Sequence, residues 1–153
     1  MPGTQAVIDA SIALKLVLPD VLQAHCRSLI AGLLGASVEI VAPDLWAYET
    51  TSAVCKAFHF QQLTSDEGRQ VVAQINTLGV RLIPPDEIQN QQAFEWTVRL
   101  KRGAAYDSYY LALAEGLGCE FWTADRRLYN AVNLPWVRWV TDIEGGGESG
   151  PPA

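Results

Sequence analysis

Two histidines, three cysteines and a single methionine are spread over 153 residues, without a CxxC pair or an HExxH pattern. A zinc site built on nitrogen and sulfur therefore has no motif behind it, and Cys26, Cys55 and Cys119 are odd in number and too scattered for a disulfide framework. The glycines form neither a GxGxxG nor a Walker pattern, so no nucleotide cofactor is indicated. Ser11 and Ser52 lie in no Gly-x-Ser-x-Gly elbow, and no histidine is placed by sequence to serve them as a base. Long hydrophobic runs are also missing. The longest nearly apolar stretch, Leu29 to Val38, is interrupted by Gly32, Gly35 and Ser37 and is too short to cross a bilayer. The opening Met-Pro-Gly-Thr-Gln has no basic region of the secretory kind. Together these absences predict a cytoplasmic protein in a reducing compartment, with no membrane partner.

A basic excess is lacking too: 17 acids face 11 Lys and Arg, for a net charge of −6. That argues against a protein that coats nucleic acid by long-range attraction. It leaves a nuclease open, because cations held by clustered carboxylates would cancel much of the excess and local basic groups can still grip phosphates.

What is present is globular: 49% of residues are hydrophobic and 18% charged, enough for the core of one domain. That domain is expected over residues 1–143, followed by a flexible tail at 144–153 whose Gly, Ser and Pro cannot bury apolar surface. Along the domain, short apolar runs alternate with helical periodicity. Strands are expected at Ala6 to Ile8, Val38 to Val41, Val80 to Ile83, Glu120 to Thr123 and Val137 to Val140. Helices are expected at Ser11 to Leu18, Val21 to Ala36, Leu45 to Gln62, Thr64 to Asn76, Asp86 to Lys101 (with Gly103 as the stop), Tyr106 to Leu117 and Arg126 to Val132. Such alternation predicts an α/β fold in three layers, a mainly parallel sheet covered on both faces.

Four acids sit where apolar residues or caps would be expected. Asp9 and Asp125 follow the first and fourth strands, at the end of a parallel sheet where ligands bind, although an Asp between strand and helix is also an ordinary N-cap. Glu49 falls in a stripe with Trp46, Ala53, Ala57 and Phe60, and Asp107 shares a helix side with Tyr110, Leu111, Ala114 and Gly118. Either is also compatible with an edge residue or an ion pair. Taken as a set, four such carboxylates repel one another unless cations neutralise them. Oxygen donors without His or Cys suit Mg²⁺ or Mn²⁺, ions of phosphate chemistry.

Val7-Ile-Asp-Ala-Ser11, Trp46-Ala-Tyr-Glu49, Tyr106-Asp-Ser-Tyr-Tyr-Leu-Ala-Leu-Ala-Glu115 and Trp122-Thr-Ala-Asp-Arg-Arg-Leu128 together resemble the PIN-domain family, in particular its VapC-like ribonuclease toxins. The resemblance runs from Val7 to about Val140. It implies a five-stranded parallel sheet and a Mg²⁺- or Mn²⁺-dependent endoribonuclease cutting single-stranded or looped RNA, with Asp9, Glu49, Asp107 and Asp125 as catalytic metal ligands. It further implies Ser11 and Thr123 as hydroxyls supporting the acids, a cognate antitoxin as partner, and a homodimer. Some relatives carry another acid two positions after the fourth, where this chain has Arg127, and Ser108 stands where a small apolar residue is common.

Lys15, Lys101, Arg102, Arg126 and Arg127 flank the acidic motifs and are candidates for RNA-phosphate contacts, with plain surface charge as the alternative for each. His25 and His59 are assigned no role. Trp46, Trp122, Trp136 and Trp139 lie in or beside apolar runs and are read as core rather than as a base-stacking platform. Val21 to Ala36 and Leu45 to Phe60 are amphipathic, suited to internal packing or to a partner. Three other readings compete: an RNA-processing nuclease outside any toxin pair, an acidic-pocket phosphatase or receiver domain, and a non-catalytic adaptor. The phosphatase reading lacks the second Asp of a DxD motif after Asp9.

Overall fold

The computed structural model describes residues 4–143; the expected tail at 144–153 lies outside the described residues. Five strands, β1 (Gln5–Ile8), β2 (Glu39–Pro43), β3 (Arg81–Ile83), β4 (Glu120–Thr123) and β5 (Val137–Trp139), form one sheet in the order β3-β2-β1-β4-β5, every adjacent pair parallel. The helices between them are α1 (Ala10–Val17), α2 (Gln23–Gly35), α3 (Leu45–His59), α4 (Ser65–Asn76), α5 (Glu87–Leu100), α6 (Tyr106–Leu117) and α7 (Arg126–Val132).

The short apolar strands follow from burial on both faces. Val7, Val41, Phe121 and Val137 enter one core with residues of α3 to α7, while Ala6, Ile8, Ile40, Trp122 and Trp139 enter a second core with α2. Successive residues of β1 and of β4 thus feed opposite layers, as the pleat requires. Helix α1 serves both cores, Ala13 in one and Ile12 in the other. Trp46, Trp96, Trp122 and Trp139 are buried, and Trp136 packs edge-on against Trp96. The tryptophans are core residues, not an exposed platform.

Two expectations change in detail. Phe60 is 62% exposed and lies beyond the end of α3; the buried side of that helix runs through Trp46, Thr50, Val54 and Ala57, with Glu49 at its margin. Helix α5 stops at Leu100 because Lys101 adopts the left-handed conformation, φ 54°, ahead of Gly103. The start of α4 is as expected, a reciprocal pair in which the Thr64 hydroxyl accepts from Glu67 N–H and the Glu67 carboxylate accepts from Thr64 N–H, both at 3.1 Å. Among the described residues no helix is long and apolar enough to cross a membrane.

Candidate active site

The chain leaves β1 toward β2 and β3 but continues from β4 to β5 on the other side, so the order reverses between β1 and β4. A parallel sheet opens a crevice beyond the carboxyl ends of the strands at such a point. Asp9 directly follows β1 and Asp125 follows β4 by two residues. Helix α3 leaves the end of β2 and carries Glu49 in its second turn, while α6 runs back toward the start of β4 and carries Asp107 in its first turn. All four acids therefore belong to the same end of the sheet.

Asp9 is 6% exposed. One carboxylate oxygen accepts from the Ser11 hydroxyl and from Ser11 N–H at 3.1 Å, and the other accepts from the Thr123 hydroxyl. Ser11 Oγ in turn accepts from Ala124 N–H at 3.0 Å, and Thr123 Oγ1 accepts from Asp125 N–H at 2.9 Å. Two small hydroxyls thus tie the end of β1 to the end of β4 around one buried carboxyl. Asp125 accepts from Arg127 N–H and Leu128 N–H at 3.0 and 3.2 Å, capping α7 as Asp9 caps α1. Capping and placement at the crevice coexist in both residues.

Glu49 accepts from the Tyr110 hydroxyl at 2.6 Å. Tyr110 is 1% exposed and stacks on Phe121, so its phenol holds Glu49 from a fixed point in the core. Asp107 is paired with the Arg102 guanidinium at 2.9 Å, each side chain one-third exposed. Ser108 is buried, with its hydroxyl 2.8 Å from that of Thr97, which joins α5 to α6.

Burial pushes the Asp9 carboxyl up to about 7, against the opposing pull of the Ser11 and Thr123 donors, and the Asp107 charge adds to the rise. Burial also raises Glu49, opposed by Tyr110 and reinforced by Asp107. Asp107 is raised by burial, opposed by Arg102 and reinforced by Asp125. Tyr110 is raised by burial and by the Glu49 charge beside it. Burial thus leads the rise at Asp9, Glu49 and Asp107, and the charge of a neighbouring acid adds a smaller part.

A crevice of about 500 Å³ is lined by Glu49, Arg102, Tyr106, Asp107 and Arg127 among others. A second, of about 470 Å³, is lined by Ser11, Lys15, Asp125, Arg126 and Trp139 among others. Lys101 is exposed and lines neither. A larger cavity of about 550 Å³ lies at the opposite end of the sheet, beside Gln5, Ala6 and Glu120, and includes none of the four acids. Among the described residues no three His, Cys, Asp or Glu side chains stand close enough to hold a metal ion between them. The donor set nevertheless fits a hard divalent cation: carboxylates and hydroxyls without nitrogen or sulfur, three of the carboxyls raised by burial and like charge.

Tyr110 is the contributor that sequence reasoning passed over. Its place three residues after Asp107, with a hydroxyl on an otherwise apolar helix side, was the available signal.

The family model of the PIN domain matches residues 6–134. The chain belongs to the PIN-domain family. PIN-domain relatives include Ribonuclease VapC9 of Mycobacterium tuberculosis and VapC ribonuclease Mb0985 of Mycobacterium bovis, each 33% identical over 124 residues, covering 80% of this chain and 87% of the relative. Among solved PIN-like folds, PAE2754 from Pyrobaculum aerophilum aligns with a TM-score of 0.68 at 17% identity, over 92% of this chain and 86% of that one. VapC20 of Mycobacterium tuberculosis, described as a Sarcin-Ricin loop cleaving toxin, aligns with a TM-score of 0.61 at 16% identity, over 87% of this chain and 98% of that one. Membership sets aside the phosphatase and receiver readings.

Proposed function

We propose that this PIN-domain protein is a Mg²⁺- or Mn²⁺-dependent endoribonuclease and the toxin of a toxin–antitoxin pair. One observation carries the reading: four acids from four separate elements stand at one end of the sheet, three of them raised by burial and, to a smaller degree, by a neighbouring acid's charge, in a chain one-third identical to VapC ribonucleases. Asp9, Glu49, Asp107 and Asp125 would hold the cation, which supplies an activated water and stabilises the leaving oxygen of the cut phosphodiester. Asp9 is oriented by Ser11 and Thr123, and Glu49 by Tyr110. Arg127, standing two positions after Asp125, brings positive charge where a further carboxylate would strengthen a second metal position, which favours one tightly held ion.

A toxin of this kind needs restraint. The Arg102–Asp107 pair illustrates how a guanidinium satisfies these acids, and an antitoxin that inserts an Arg or Lys among them would displace metal and block the phosphate. Tyr48, Phe58 and Phe60, more than half exposed along α3 and at its end, offer apolar surface for such a partner or for a second copy in a homodimer. The cytoplasm is where RNA and antitoxin are met.

The experiment is RNA cleavage by the purified protein in Mn²⁺ and in EDTA, beside Asp107→Asn. Cleavage is expected only with metal and should fall by several orders of magnitude in the variant, with the fold intact. Equal cleavage by the variant, or in EDTA, refutes the reading. Growth arrest on expression, relieved by a neighbouring small protein that binds, tests the toxin role; a harmless wild-type chain refutes it.

A further inference from the structure

Arg126 and Arg127 are the first two residues of α7, a helix with no acid in its first turn. Cations there gain nothing from the helix dipole, whose need for negative charge is met by the capping carboxylate of Asp125. The two side chains also go to different places. Arg127 lines the crevice that holds Glu49, Arg102 and Asp107, whereas Arg126 lines the one that holds Ser11, Lys15 and Asp125.

Each crevice therefore borders the acids and carries two cationic side chains: Arg102 and Arg127 in one, Lys15 and Arg126 in the other. Arg126 is steadied by aromatic rings, its guanidinium 3.9 Å from the centre of Trp139 and 5.7 Å from that of Tyr129. Among the described residues neither Arg126 nor Arg127 has a carboxylate partner, and Lys15 has only a loose one in Asp20 at 3.7 Å. Two pairs of cations, each in a crevice that also holds one or two of the acids, suit a polyanion whose charges recur along a flexible backbone.

We propose that the two crevices are the two arms of one path for single-stranded RNA. Phosphates on one side of the cut bond lie against Arg102 and Arg127, and those on the other side against Lys15 and Arg126. The proposal rests on the nuclease reading and extends it: both arms accept continuing chain, so no RNA end is needed and the contacts are to backbone charge rather than to base identity.

The test uses a short single-stranded RNA that the full-length wild type cuts at one position in Mn²⁺. Versions are made with uncharged methylphosphonate linkages only upstream or only downstream of that position. Lys15→Gln with Arg126→Gln should raise KM more than it lowers kcat, and neutralising the phosphates on one side should erase that difference from wild type. Arg127→Gln should respond to the opposite side alone. The slope of log affinity against log salt should be shallower by about 0.7 for each cation removed. Lys15→Gln by itself, away from the Trp139 stack, supplies the same reading if Arg126→Gln unfolds. Both sets of variants responding to the same side, or unchanged KM and salt slope in variants that still cleave, overturns the two-armed path. A wild type that cleaves no RNA overturns the nuclease reading instead, and this proposal with it.

Discussion

Replacing Asp9 by Asn should flatten the dependence of stability on pH. The carboxyl is held at about 7 in the folded chain against an ordinary 3.8, chiefly by burial. Between those values the folded protein keeps a proton that the unfolded chain has released. This contribution to stability is complete below pH 4 and is lost as the pH rises through 7. Each unit is worth about 1.4 kcal/mol, so Asp9 alone removes about 3 kcal/mol between pH 5 and pH 8. Glu49 and Asp107 are raised as well and act in the same direction. Asparagine fills the same space and still accepts from Ser11, but it does not ionise. Urea denaturation of both proteins in EDTA at pH 5, 6, 7 and 8 compares the slopes, which are unaffected by any constant cost of the substitution. The wild type should lose about 3 kcal/mol more than the variant across that range. Parallel curves would refute the assignment of a buried, proton-retaining carboxyl at position 9.

Tyr110→Phe removes only the hydroxyl that Glu49 accepts and keeps the stacking on Phe121; a loss of about 1–2 kcal/mol in denaturation, together with weaker Mn²⁺ binding, is expected, and unchanged Mn²⁺ affinity would deny Tyr110 its hold on Glu49. Arg102→Gln frees Asp107 from a competing cation and should tighten Mn²⁺ binding by no more than about fivefold, because the pair is partly exposed; weaker binding would contradict competition. Gly118→Ala meets no atom within 4 Å but forces φ +64° on a residue with a Cβ, so it should cost about 1 kcal/mol of stability and leave RNA cleavage untouched.

Much of this was legible in the sequence for physical reasons. Parallel strands buried on both faces read as short apolar runs, which is why β1, β2 and β4 stand out, and an acid directly after such a run is conspicuous. Helix phase was harder to read on α3. Thr50 looks polar, yet it is 2% exposed, its hydroxyl satisfied by the Trp46 carbonyl at 2.8 Å, and Phe60 falls beyond the helix end and outside the buried stripe. Gly103 looks like the natural end of α5, but Lys101 takes the left-handed turn first. The Arg102–Asp107 pair spans a loop, and the Tyr110–Glu49 bond joins residues 61 apart; no spacing rule on a single helix discloses either. Side chains that steady the acids depend on tertiary packing, whereas the acids themselves follow from strand ends and helix faces.

Calorimetric titration of the purified protein with Mn²⁺ at pH 8, beside the Asp107→Asn variant, tests the central claim that these four acids form a divalent-metal site. Saturable binding at millimolar concentration or tighter is expected for the wild type, with strong loss in the variant and a rise in melting temperature on metal addition confined to the wild type. No saturable binding by the wild type, or equal binding by both proteins, would contradict it.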